Sequence, residues 1–321
     1  MSRSIRIPDS ISLSGSRRRF LCGSAQLAGF AALGGALLPA RHAGAQAGAA
    51  TITANELNGL TLLAGAGCNV LCTPGDDSAL MIDGGLAANT DALLAAVLAA
   101  TGQDRVGMLI NTHWHPEQTG ANEPVGSAGG LIFAHEKTGL YLGSAVRSTL
   151  FDGVLEPLPE AGQPTELVRE DGSLEFGGTR IDYGHLPQAH TDGDLYLHFP
   201  ERDVLAAGGV VAADRWPLLD YLNGAWYGGR VRALQWLAEL VSPATRVVPA
   251  DGPLLDGRTV VRLRDIYLEL FETMIGYMNL GYGAEDAVRE NPLRQYEAEF
   301  GNASAFLDGA YRSMMIAYVP E

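Results

Sequence analysis

The run Val106-Gly107-Met108-Leu109-Ile110 breaks directly into Asn111-Thr112-His113-Trp114-His115-Pro116-Glu117-Gln118-Thr119-Gly120. This junction constrains the chain more than any other stretch. A short apolar run bounded by polar residues reads as a buried strand. Two imidazoles one residue apart, just past its end, sit on a loop that a rigid sheet holds in place, which is how catalytic metal sites are commonly mounted. The blander alternative is one histidine in a turn and the other an accident of the surface, because a short motif is only a hypothesis until its context is met.

The same pattern recurs along the chain. His190, in Ala189-His190-Thr191-Asp192-Gly193-Asp194, directly precedes the strand-like Leu195-Tyr196-Leu197-His198-Phe199. Asp83 ends an early strand in Ile82-Asp83-Gly84-Gly85, and Asp251 ends a late one in Val248-Pro249-Ala250-Asp251-Gly252-Pro253. Between these points, strands predominate over 51–85 and 165–212, with a helix over Asp91–Ala100 and another over Lys137–Thr149. The apolar stripe Val231, Leu234, Leu237, Leu240 predicts a helix from Arg230 to Val241, and helical patterns cover Arg258–Leu280 and Pro292–Tyr318. Strand groups in two halves with interleaved helices suggest two packed sheets with helices outside.

The N-terminus carries a different signal. Ser16-Arg17-Arg18-Arg19-Phe20-Leu21 is a twin-arginine pattern, followed by a mildly apolar stretch from Leu27 to Leu38 and small-residue sites around Ala43-Gly44-Ala45. Together these describe a secretory signal over residues 1–45, too short in its apolar part to span a bilayer. The expectation is export by the twin-arginine translocase to the periplasm or beyond, with no stable membrane association after cleavage. Loss of that segment removes six arginines and one acid, so the net charge of −15 becomes more negative still. Nucleic acid and anionic lipid need basic surface, so a small-molecule substrate is the expected partner. Cys68 and Cys72 remain; four apart on a strand they lie ~13 Å from one another, beyond disulfide reach.

With these residues in view, the chain resembles the metallo-β-lactamase superfamily from about residue 51 to 290. The landmarks occur in order: Asp83-Gly84, Thr112-His113-Trp114-His115, Ala134-His135-Glu136, Ala189-His190-Thr191-Asp192-Gly193-Asp194, and the Val248-Pro249 turn. The resemblance implies an α/β fold, an αββα sandwich of two mixed β-sheets flanked by helices. It also implies one domain over 46–321 with a helical C-terminal extension from about 258. It makes His113, His115 and His190 the three ligands of the family's first zinc, with an open fourth position where a bound water would be acidified toward a pKa of ~7.

The family's second metal site is altered at every position. Glu117 and Gln118 stand where the family usually has Asp and His, Gly209 where a carboxylate bridges two metals, and Asp251 where the late turn offers a His. Two readings follow. Glu117 and Asp251, with Gln118 offering a neutral carbonyl or amide and Asp83, Asp194 and His185 nearby, could form an oxygen-rich pocket suited to a harder ion or to water. Alternatively one zinc is held and Glu117 acts as general base. The second is preferred, and iron or manganese would also suit three imidazoles. Asp83 is expected to hydrogen-bond the histidine loop, and Asp192 and Asp194 to cap the turn after His190 or hold its ring, Asp194 being the better candidate for the ring. His135 is expected to be structural, while His185 could line the cleft or sit on the surface. Trp216, Tyr221, Trp226 and Tyr227 could wall a substrate pocket or belong to the core. The function expected is an exported zinc hydrolase attacking an ester, lactone, thioester or amide carbonyl, β-lactams included. The rival is a catalytically degenerate periplasmic binding protein on the same fold.

Overall fold

The computed structural model describes residues 51–317. The twin-arginine segment lies outside the described residues. Two β-sheets stack face to face. The first runs β1 (Thr53–Leu57), β2 (Leu60–Ala64), β3 (Val70–Pro74), β4 (Ala79–Ile82), β5 (Val106–Ile110), β6 (Leu131–His135) and β7 (Glu166–Val168) in spatial order. It is antiparallel from β1 to β4 and parallel from β4 to β7. The second contains β8 (Gly172–Phe176), β9 (Thr179–Leu186), β10 (Asp194–Phe199), β11 (Val204–Gly208), β12 (Arg246–Pro249) and β13 (Leu255–Asp256), parallel only between β11 and β12. Both sheets are therefore mixed.

Side chains alternate across each strand, so each sheet faces two apolar layers. Leu71, Leu80, Ile82 and Ile110 point inward to meet Leu195, Leu197, Val204 and Ala206 of the other sheet. Their neighbours Val70, Cys72, Met81 and Leu109 point outward against α1 (Thr90–Thr101), through Leu93 and Val97. On the far side, Leu205, Ala207 and Val247 face α5 (Tyr227–Leu240), α6 (Gly257–Asn279) and α9 (Ser304–Ala317). Strands covered on both faces must be apolar at every position, which is why β4 and β11 read as continuous runs.

Some local expectations are corrected. The helix expected over Lys137–Thr149 is only α4 (Glu136–Leu142), ended at Gly143, and residues 144–165 form a loop pinned by an isolated bridge between Val146 and Leu155. The pattern read over Pro292–Tyr318 splits, with α8 (Glu297–Phe300) separated from α9 at Gly301, whose φ is +77°. The shorter helices α2 (Pro116–Thr119), α3 (Asn122–Ser127) and α7 (Ala284–Glu290) complete the set. Cys68 precedes β3 rather than sitting in it, and both cysteines are buried and free. Among the described residues no helix is long and apolar enough to cross a membrane.

Candidate metal centre

The C-terminal ends of β4, β5, β11 and β12 lie along one edge of the sandwich and carry Asp83, the histidine loop, Gly209 and Asp251 respectively. β5 delivers Asn111 into a network that fixes the loop. Asn111 and Asn122 exchange side-chain amide bonds of 3.0 and 2.8 Å, while Asn111 Nδ2 and the Gly84 N–H both donate to the Gln118 carbonyl. Pro116 starts α2 at the position where its missing N–H costs nothing. Trp114 turns away from the centre into an apolar cluster, stacked on Tyr141 at 5.1 Å.

His113, His115 and His190 converge. One ligand atom from each lies within 4.8 Å of the other two, and His115 Nδ1 is 3.1 Å from His190 Nε2. Two nitrogens bound at ~2.05 Å in a tetrahedron would lie ~3.3 Å apart, so the spacing suits one metal ion. His113 and His115 are buried and His190 is half-buried. Burial holds His113 and His190 well below the usual histidine range, reinforced by the neighbouring imidazoles and by the Arg230 guanidinium. Neutral imidazoles are the ligating form.

Asp83 sits at φ +64°, a left-handed conformation that aspartate tolerates better than most residues. Its carboxylate accepts from the Thr112 N–H at 2.8 Å and the Thr112 hydroxyl at 2.9 Å. That hydroxyl donates its one hydrogen to Asp83, so its 3.0 Å contact with His113 Nδ1 is one in which the ring donates. His113 is thereby left with a free Nε2. Burial pushes the Asp83 carboxyl up to about 7, against the two Thr112 bonds.

Asp194 takes the turn-capping role of the two expected for it. It accepts from the backbone N–H groups of His190 (2.6 Å) and Thr191 (2.8 Å) and from the Thr191 hydroxyl (2.9 Å), so it holds the loop and not the ring. The His190 Nδ1 atom is buried without a protein partner. A short polar side chain three or four residues after a backbone N–H closes on it more readily than it spans a ring.

The residues proposed for an oxygen-rich second pocket do not assemble. Asp251 is 61% exposed and pairs with Arg215 at 2.7 Å, and Arg215 also grips Asp214. Glu117 is half-buried at the start of α2, with Gln118 buried beside it. His185 stacks on His135 at 3.7 Å, and its Nε2 contacts the Asp192 carbonyl at 2.9 Å. Among the described residues, the three histidines are the only group of three or more that could hold a metal. Gly209 completes the contrast: a Cβ built there would lie 2.0 Å from His190 Cδ2, because the imidazole rests on the glycine backbone.

A model of the metallo-beta-lactamase superfamily matches residues 67–251, a span that contains every one of these junctions. The chain belongs to the metallo-beta-lactamase superfamily. Among solved structures, it is similar to the metallo-beta-lactamase from Pontibacter korlensis, at 20% identity and TM-score 0.52 over 68% of this chain and 93% of that one. It is also similar to the DIM-1 metallo-beta-lactamase, at 15% identity and TM-score 0.55 over 68% and 98%. The stereoselective inverting sec-alkylsulfatase Pisa1 from Pseudomonas sp. shares 15% identity with TM-score 0.64, over 85% of this chain and 52% of that one. These likenesses are of fold. No curated protein matches the sequence significantly.

Sequence reasoning missed three residues of this metallo-beta-lactamase-fold centre. Thr112 carries the link from Asp83 to His113. Arg230 is completely buried, its Nη2 donating to the Gly209 and Val210 carbonyls at 2.7 Å each. It lies four and seven residues ahead of Leu234 and Leu237 on the apolar stripe of α5, and a charge on such a stripe was the available signal. Asp220, also completely buried, has its Oδ2 3.8 Å from His115 Nε2. Trp216 and Tyr227 are helical core rather than pocket wall: Trp216 stacks on Phe306 at 5.3 Å, and the Tyr227 hydroxyl donates to the Tyr267 carbonyl.

Beside the centre, the His135–His185 stack makes the fold acid-sensitive. Burial and the His185 ring push His135 down to about 4. An unfolded histidine titrates near ~6.5, so between those values the unfolded chain binds the extra proton and stability falls as pH drops through the window. His135 caps α4, accepting from the Lys137 N–H, and asparagine can take over that cap. In urea unfolding of the metal-free protein from pH 7 to 4, His135→Asn should remove up to ~1.4 kcal/mol per pH unit of the acid slope. Identical slopes would clear His135 of this role.

Proposed function

We propose that this superfamily member is an exported, metal-dependent hydrolase that holds one zinc ion on His113, His115 and His190. The observation that carries the reading is the convergence of three imidazoles, two buried and one half-buried, with 3.1 Å between His115 Nδ1 and His190 Nε2. When bound there, zinc supplies an acidified water and polarises a substrate carbonyl. The chain's own contribution is the placement. Asp83 and Thr112 orient His113, Asp194 holds the loop of His190, and Gly209 leaves room for its ring. Glu117, on the same loop as the first two ligands, is proposed as the proton acceptor in attack on an ester, lactone, thioester or amide.

Metal stoichiometry by elemental analysis is the primary test. About one zinc per chain is expected; two equivalents would contradict the mononuclear reading, and none would favour a binding protein on this fold. Glu117→Gln should then retain zinc and lower kcat for ester or lactone hydrolysis by roughly 10²-fold or more, the usual scale of general-base catalysis. Full activity with zinc retained would remove Glu117 from the reaction. A secondary alkyl sulfate belongs in the substrate panel, because the sulfatase shares the largest part of this chain among the structures described. Its cleavage in place of every carbonyl substrate would change the substrate class assigned.

A further inference from the structure

We infer that Asp220 is the positioning residue for His115, and that it joins two loops beside the metal centre to the orientation of that ligand. None of the sequence landmarks contains it. It lies in the connection between β11 and α5, in an aromatic-rich stretch with no metal-binding spacing. Its carboxylate is completely buried and has three neighbours of known chemistry. The Ser148 hydroxyl donates to Oδ2 at 2.7 Å, and Asn223 Nδ2 contacts both oxygens at 3.0 and 2.9 Å. The third neighbour is His115 Nε2, a buried ring nitrogen with no hydrogen-bond partner, which faces Oδ2 at 3.8 Å.

A buried carboxylate accepts and cannot donate, so the ring nitrogen facing it is the one that carries the proton. The proton on Nε2 leaves the lone pair on Nδ1, and Nδ1 is the atom 3.1 Å from His190 Nε2 at the centre. His113 is set by the opposite arrangement. There Asp83, acting through Thr112, holds the proton on Nδ1 and leaves Nε2 free. Two carboxylates behind two rings thus select opposite tautomers, as two histidines approaching one point from one short loop require. Such a partner also makes the ligand more basic, and its loss typically costs 10–100-fold in metal affinity.

The same carboxylate reaches outward. Ser148 belongs to the loop 144–165, and Asn223 Nδ2 also donates to the Arg147 carbonyl at 2.8 Å. Phe151 of that loop stands edge-on to the His115 ring at 5.3 Å. The 144–165 loop and the 220–226 turn therefore meet at the group that orients His115.

The inference rests on the three histidines being the metal site, and the experiment separates the two. In metal-free protein with ¹⁵N-labelled histidine, long-range ¹H–¹⁵N NMR should show His115 as the Nε2–H tautomer; the Nδ1–H form would overturn the assignment. Cobalt(II), titrated in competition with a chromophoric chelator, should bind Asp220→Asn roughly 10–100-fold more weakly than the parent, with a shifted visible spectrum. The metal-free unfolding midpoint should change little by comparison. Equal affinity and an unchanged spectrum would reduce Asp220 to a loop tie. Ser148→Ala keeps the carboxylate and should retain the tautomer; loss of the tautomer there would also overturn the assignment. If Asp220→Asn fails to fold, the tautomer in the unaltered protein decides. Failure of the parent to bind cobalt would sink the metal reading and leave the NMR test standing.

Discussion

Replacing His113 with alanine should abolish metal binding and, with it, hydrolysis. The remaining pair, His115 and His190, supplies two ligands 3.1 Å apart and leaves half of a tetrahedral shell to solvent. At a metal concentration 100 times its Kd, the parent should gain about 2.7 kcal/mol of stability from mass action. For a chain of this size that is a rise in Tm of roughly 5–10 °C. The alanine variant should show no rise at the same concentration. Its hydrolytic rate should fall at least roughly 10³-fold, because water of pKa near 15.7 replaces water acidified toward ~7. The metal-free fold should survive, since α1 and the inter-sheet layer do not depend on the ring. Persistence of either a metal-induced Tm shift or full activity would remove His113 from the ligand set.

The second large effect is counter-intuitive. Putting the family's usual carboxylate back, as Gly209→Asp, should lose the metal rather than add another. Even the first side-chain carbon at 209 would stand 2.0 Å from His190 Cδ2 and 2.6 Å from Nε2. The turn cannot easily retreat, because buried Arg230 clamps the carbonyls of Gly209 and Val210 from behind. The His190 ring must therefore move, and Nε2 leaves the centre with it. Elemental analysis should find well under one metal per chain for Gly209→Asp, and Gly209→Ala should already weaken binding by roughly tenfold or more, as disturbing a ligand's support does. Two equivalents of metal in the aspartate variant would show that the second site had only lost a ligand and not its space.

The fold and the three histidines were legible because both are written in short local patterns. β4 and β11 announce themselves as apolar runs ending in Asp83-Gly84 and Gly208-Gly209, and the histidine loop follows β5 without a break. Of the supports behind the histidines, Asp83 was legible at its strand end and does bond the histidine loop, but Asp220 was not. Asp220 and His115 are more than a hundred residues apart in sequence, with no periodicity to connect them, and their meeting is a product of loop packing. Glu117 and Asp251 illustrate the converse. Their positions in the sequence suggested a shared pocket, but a surface arginine, Arg215, engages Asp251 instead. Asp194 had two roles open to it in the sequence, and the structure shows that it caps the turn after His190 and does not hold the ring. Trp216 was ambiguous because a large aromatic after a strand end suits a pocket wall and a helical core equally well, and only α9 decides between them.

Arg230 ties the third ring to a later part of the chain. It is carried by a helix that follows all three histidines in the chain, and it grips the turn on which His190 rests. A nascent chain that has released His113, His115 and His190 from the ribosome still lacks the clamp that sets the third ring. The helices that bury the clamp come later still, with Tyr267 and Phe306 closing around Tyr227 one turn of α5 ahead of it. The support of the third ring is therefore incomplete until α5 has been made, although all three histidines precede that helix in the chain.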